Sequence, residues 1–258
     1  MRIALVQLRT DESTQIEAQF RRAMNLLEKL EKCDLVVLPE LWLQGAFGQL
    51  SEQMAPLDFS NEYLDCLIKW AKKRKTWLCT GSFLLMNEEE RITNTCYFLN
   101  PEGRIVASYS KRHLFGYGSK EAERLVSGKS RIELEAVFGT VGFAICYDLR
   151  FPEHFRASPK IPELFVIPSA WPESRINHFE SLVIGRAIEN QCYIIACNGI
   201  GSQGDVNLGG SSLVVDYNGK TVVKLSKEEE EIGYCDLNLD ELRIFRERFD
   251  VLSDRVDD

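Results

Sequence analysis

Three side chains that fit poorly in hydrocarbon close apolar runs of this sequence. Glu40 follows "DLVVLP", Lys111 follows "RIVASYS", and Cys146 ends "GTVGFAI". A cysteine in that setting can be core filler, a metal ligand, half of a disulfide, or a nucleophile at the lip of a sheet. Taken singly, Glu40 reads as a turn residue after proline and Lys111 as a solvated hairpin end. Brought together, a carboxylate and an ammonium would supply what a thiol needs to attack a carbonyl. The carboxylate takes the proton, and the cation lowers the cost of the developing anion.

The three fall at strand ends, where open α/β sheets gather their ligands. "RIALVQL" reads as a first strand, and Ile16, Phe20, Ala23, Leu27 and Leu30 recur at helical spacing after it. "DLVVLPE" is a continuous apolar run, as expected of a strand covered on both faces. Leu64, Leu67, Ile68 and Ala71 mark a second helix, "TWLCTGSFLL" a strand, and "TNTCYFLNPEGRIVASYSK" a hairpin with a Pro-Glu-Gly turn. The order then restarts. "GTVGFAICYD", "FPEHFRAS", "ELFVIPSAW", "NHFESLVIGRAIENQ", "CYIIACNGI" and the hairpin around Asn218-Gly219 give strand, helix, strand, helix, strand, hairpin.

This repetition predicts two pseudo-symmetric halves joined near residues 112–138, each giving one sheet with helices outside it. The expected fold is α/β, a four-layer α-β-β-α sandwich. Residues 1–258 form a single domain on this reading, and the tail from about 240 to 258 is free to extend onto a partner subunit.

Of the 258 residues 45% are hydrophobic and 27% charged, the balance of a soluble globular chain. A formal charge of -8 argues against nucleic acid. The opening "MRIALVQLRTDE" is too short in apolar residues for a signal peptide, and no apolar stretch approaches a membrane span. Eight cysteines without an export signal or CxxC spacing point to a reducing cytoplasm. Cys79, Cys96, Cys192 and Cys197 read as packing. The three histidines, His113, His154 and His178, are scattered, which disfavours a metal site. Asp148 with Arg150, and Arg186 with Glu189, are expected to be structural ion pairs.

"LPELW", "YSKRHLF" and "ICYDLRFPE" together resemble the three signature segments of the nitrilase superfamily of carbon–nitrogen hydrolases, in the same order from Met1 to about Asp240. The resemblance implies a Glu40-Lys111-Cys146 catalytic triad on the sandwich, with the Tyr147 backbone N–H helping to hold an oxyanion. It also implies a homodimer and no metal or organic cofactor. A second, substrate-positioning carboxylate is implied between "HLF" and Gly128; the spacing selects Glu121, with Glu123 as the alternative.

"SAWPESRINHFESLVIGRAIENQCY" is similar to the omega-amidase branch, which hydrolyses 2-oxo dicarboxylic acid monoamides such as 2-oxoglutaramate or 2-oxosuccinamate. Such a substrate requires a cation opposite the thiolate, and Arg175 is the expected clamp. Trp171 and Phe115 would wall the pocket and Tyr117 would donate a hydrogen bond. The same triad would equally serve a nitrile, N-carbamoyl or aliphatic amide hydrolase. A non-enzymatic thiol sensor or scaffold is the reading from a different class.

Overall fold

The computed structural model describes residues 1–11, 13–47, 62–117, 119–157 and 161–256. Its first sheet has the order β14-β1-β2-β3-β4-β5. These strands are Glu231–Asp236 (β14), Arg2–Gln7 (β1), Leu35–Val37 (β2), Trp77–Met86 (β3), Ile92–Leu99 (β4) and Ile105–Ser110 (β5). The second has the order β13-β12-β9-β8-β7-β6. Here the strands are Thr221–Lys224 (β13), Leu213–Val215 (β12), Tyr193–Asn198 (β9), Leu164–Ser169 (β8), Gly139–Phe143 (β7) and Glu133–Ala136 (β6).

Side-chain alternation decides which face looks where. Ile3 and Leu5 of β1 join the core shared with the second sheet, whereas Ala4 and Val6 pack with Phe20, Ala23 and Leu27 of helix α1 (Ile16–Glu28). Helix α2 (Glu62–Arg74) adds Leu67, Trp70 and Ala71 to that outer layer. On the far side, Phe179 and Val183 of a helix over Ile176–Asn190 cover the second sheet. Between the sheets β1 faces β9 and β3 faces β8, and Phe98 meets Phe143 edge-on at 5.3 Å. The four layers expected from the repeated element order are therefore present.

Three features depart from the sequence reading. The last strand does not stay with its half: β14 pairs antiparallel with β1 along its whole length, from Arg2 with Asp236 to Gln7 with Glu231. The joining segment is not all linker, since β6 pairs with β7. Between the strand "CYIIACNGI" and the hairpin around Asn218-Gly219 lies a further hairpin, of β10 (Ile200–Gln203) and β11 (Val206–Gly209). The C-terminal segment turns back on its own subunit. Arg246 donates to the carbonyls of Ile161, Pro162, Asn190 and Gln191, and the Gln191 amide donates to the Phe249 carbonyl.

Candidate active site

Glu40 is set by a turn at the carboxyl end of β2. Ser82 N–H donates to the Pro39 carbonyl at 3.2 Å, and Leu41 N–H donates to the Ser82 carbonyl at 3.0 Å. Gly81 makes that approach possible, because a Cβ there, at φ +70°, would lie 2.1 Å from the Pro39 oxygen. The Trp42 indole N–H then locks onto the Thr80 carbonyl at 2.9 Å. So held, the buried Glu40 carboxylate accepts from Lys111 Nζ at 2.7 Å, Asn94 Nδ2 at 2.8 Å and the Ala170 backbone N–H at 2.9 Å.

Lys111 leaves β5 with its backbone held on both sides. Its N–H donates to Asn94 O at 2.8 Å, and its carbonyl accepts from Gly128 N–H at 2.8 Å. Any Cβ on Gly128 would stand 2.0 Å from the Ser110 oxygen. The Lys111 ammonium also donates to both oxygens of Glu121, which further accept from Asn94 Nδ2 at 3.0 Å and Phe115 N–H at 2.8 Å. Glu123 points away, 67% exposed and paired with Lys120 at 3.3 Å. Of the two candidates, Glu121 is the one the fold brings to the cluster.

Burial opposes the charge on Lys111, but Glu121 and Glu40 outweigh it and hold the ammonium well above its usual range. Burial pushes the Glu121 carboxyl up, against the pull of Lys111 and with the push of Glu40. Cys146 sits in the left-handed region at φ +44°, at the start of a single tight turn, Cys146–Arg150. Non-glycine residues held there are strained, and such strain concentrates at functional sites. Burial and then the Glu40 charge push the thiol well up, and Lys111 only partly opposes them. The resting sulfur is thus a neutral thiol beside the Glu40 carboxyl.

The turn is anchored from behind by Asp148, which is fully buried. It accepts from Ile145 N–H at 2.9 Å, Tyr109 OH at 2.6 Å, and His113 N–H and Nδ1 at 2.9 and 2.6 Å. The expected Asp148–Arg150 ion pair is therefore wrong: the carboxylate is spent on the turn and the neighbouring sheet. Arg186 and Glu189 do pair, at 2.7 Å. His113 and His154 are also not scattered in space, since with Asp148 they offer ligand atoms within 4.8 Å of one another. Those atoms are committed to protein, with His154 Nε2 on the Phe143 carbonyl at 2.8 Å and the Arg112 guanidinium 3.4 Å from His154 Nδ1. The group is a buttress for the cysteine turn.

Glu40, Lys111, Glu121 and Cys146 line one pocket of about 440 Å³, counted to its mouth. Its walls include Phe115, Trp171 and the ring of Tyr147, with Arg150 and Arg175 also in the lining. Apolar walls around a few convergent charged groups suit a small molecule. Tyr117 is outside it: 74% exposed, it lines an outer vestibule with Phe47 and Arg175.

The carbon–nitrogen hydrolase family profile matches residues 2–247. The chain belongs to the carbon–nitrogen hydrolase family. It is accordingly a hydrolase of carbon–nitrogen bonds. Among relatives of this hydrolase, a 2-oxoglutaramate amidase of Paenarthrobacter nicotinovorans is 36% identical, over 98% of this chain and 88% of the relative. A second 2-oxoglutaramate amidase, from Bacillus subtilis strain 168, is 34% identical over 91% and 90%. A Xanthomonas campestris protein of the superfamily, solved with an arsenic adduct in its active site, superposes with a TM-score of 0.91 at 28% identity, covering 100% of this chain and 98% of that one.

Two residues in or beside this pocket escape sequence reasoning. Asn94 bridges Glu40 and Glu121 through one amide nitrogen, while its buried Oδ1 has no partner among the described residues. Turning the amide over would set that oxygen against two carboxylates, so its orientation is forced. An asparagine inside a β-run gives no hint of this role. Arg150 reads in sequence as a partner for Asp148, and only the fold shows it in the pocket.

Proposed function

We propose that this hydrolase is an omega-amidase that cleaves the terminal amide of a 2-oxo dicarboxylic acid monoamide, 2-oxoglutaramate or 2-oxosuccinamate. The products are the acid and ammonia, formed through a Cys146 thioester. The observation that carries the reading is Arg175. It lines the same pocket as Cys146, with its guanidinium 5.4 Å over the Phe115 ring and no carboxylate partner among the described residues. A buried-edge cation of this kind is matched by a substrate carboxylate. The names of the two bacterial relatives point the same way.

The chemistry follows from the charges. Glu40 takes the thiol proton as the sulfur attacks the amide carbon. Lys111 and the Tyr147 backbone N–H stabilise the oxyanion. Collapse of that intermediate expels ammonia, which carries the proton returned by Glu40. Water then attacks the thioester with Glu40 as base, releasing the acid and restoring the thiol. Glu121 holds Lys111 and the Phe115 backbone in place while Glu40 changes charge.

The test compares kcat/KM on 2-oxoglutaramate with that on a neutral amide of equal length, for wild type and Arg175→Ala. Wild type should favour the anionic amide by well over tenfold, a margin of about 1.4 kcal/mol per factor of ten. The variant should lose most of that margin. A preference of tenfold or less in wild type would move the assignment to a nitrile, N-carbamoyl or simple aliphatic amide hydrolase.

The reading extends to a single domain working as a homodimer in the cytoplasm. All eight cysteines are free thiols, as a reducing compartment requires. No helix among the described residues is long and apolar enough to cross a membrane. Ile188 and Phe249, 50% and 59% exposed, flank one groove on the outer face beside the C-terminal segment, and a second copy would cover them. Light scattering on the purified protein and on Ile188→Glu measures this directly.

A further inference from the structure

Two arginines close to this pocket's supporting helix, Arg186 and Arg246, find acceptors. Arg186 donates to the Leu149 carbonyl and pairs with Glu189, and Arg246 spreads over four carbonyls. Arg150 does neither. Its guanidinium lies 4.8 Å over the Trp171 ring and 6.0 Å over the Tyr147 ring, in the wall of the catalytic pocket. Among the described residues its one hydrogen-bond contact is His178 Nδ1, 3.3 Å from Nη2. Trp171 is itself immobilised, with its backbone N–H on Asn198 Oδ1 at 2.6 Å and its indole N–H on the Arg175 carbonyl at 2.9 Å.

The segment Trp171-Pro-Glu-Ser-Arg175-Ile-Asn-His178 therefore does two jobs. It contributes Arg175 to the pocket, and its Trp171 and His178 hold a second guanidinium that comes from the cysteine turn. A planar fork stacked on an indole keeps its N–H edges available for in-plane acceptors.

We propose that Arg150, held by Trp171 and His178, is a second specificity-determining cation, which with Arg175 reads the carboxylate and the adjacent 2-oxo oxygen of the substrate. His178 is on this view a positioning residue acting through Arg150. The inference rests on the omega-amidase reading and deepens it.

Three amides separate the contributions: 2-oxoglutaramate carries carboxylate and ketone, glutaramate the carboxylate alone, and butyramide neither. Arg150→Ala should raise KM for 2-oxoglutaramate at least roughly tenfold, affect glutaramate less, and affect butyramide least. His178→Ala should raise KM for 2-oxoglutaramate with kcat unchanged, and His178→Asn, which restores an acceptor to Arg150, should recover most of the loss. Should Arg150→Ala fail to fold, Arg150→Lys takes its place, keeping the charge but not the fork, and is expected to show the same order of losses. Equal losses on all three amides, or none on 2-oxoglutaramate, overturn the proposal. If wild type itself shows no preference for the anionic amides over butyramide, the omega-amidase reading fails instead, and the two failures are told apart by that control.

Discussion

Lys111 Nζ meets both carboxylate oxygens of Glu121, at 2.9 and 2.8 Å, with each side chain almost sealed from solvent. The same ammonium is 2.7 Å from Glu40. One cation thus serves two buried carboxylates, and the amide of Asn94 is a neutral donor that the two share. Removing a partner from such a cluster leaves charge without compensation, which is far costlier than losing a surface pair.

Lys111→Met should accordingly do more than slow turnover. Loss of an oxyanion donor is expected to reduce kcat by about 10²–10³, and two unpaired carboxylates should cost about 3–5 kcal/mol of stability. Steady-state kinetics and urea unfolding measure the two effects separately. A variant with wild-type unfolding would show that the carboxylates find another partner.

Glu121→Gln and Glu123→Gln form a contrasting pair. The first removes charge from beside Lys111 and an acceptor from Phe115, and misplacement of the cation by a fraction of an ångström should lower kcat/KM by roughly 10²-fold. The second touches only the exposed Lys120 and should stay within about 0.5 kcal/mol of wild type in stability, with activity intact. Reversed outcomes would exchange the roles of the two residues.

Glu40→Gln should make the thiol more acidic and the enzyme worse. In wild type, burial raises the Cys146 thiol first and the Glu40 charge next, while Lys111 lowers it. Removing the Glu40 charge leaves Lys111 as the nearest ion, so alkylation by iodoacetamide should reach its plateau at lower pH than in wild type. Amide hydrolysis should meanwhile fall by about 10²–10⁴, the usual worth of a general base. An alkylation profile displaced to higher pH would contradict the electrostatic account.

Asp148→Asn should flatten the acid limb of stability. Burial alone would raise this carboxyl, but the His113 hydrogen bond, the His154 charge and the Tyr109 hydroxyl outweigh it and hold it below its ordinary value. The unfolded chain, with a carboxyl near 3.9, therefore binds the proton first as pH falls. The stabilisation is present above about pH 4 and is lost as pH drops through the folded-state value. Wild type should lose stability steeply over that range, and the variant, weaker at pH 7, should lose less.

Much of this was legible because it is periodic. Strands announced themselves by apolar runs, helices α1 and α2 by their spacing, and the two hairpins by turn residues, so Glu40, Lys111 and Cys146 could be set at strand ends before any coordinates. What depends on contacts across the sandwich was not. Asp148 lies two residues from Arg150 in the chain, yet its partners come from the strand of Tyr109 and the loop at His113. His113 and His154 look dispersed because sequence separation says nothing about which turns face each other. Asn94 gave no signal at all, since an asparagine in a strand is equally a surface residue. β6 and the β10–β11 hairpin were hidden by short, mixed patterns that read as connection.

The pairing of β14 with β1 has a consequence for how the polypeptide is made. Until residue 236 has been synthesised, β1 presents a bare row of amides and carbonyls along one side. Such an edge is an invitation to intermolecular pairing, and a nascent chain carries it from the synthesis of Gln7 until that of the strand ending at Asp236. The end of the first sheet that carries Glu40 and Lys111 can be shaped early, but its opposite border is closed only by a strand that follows the whole second sheet in the chain.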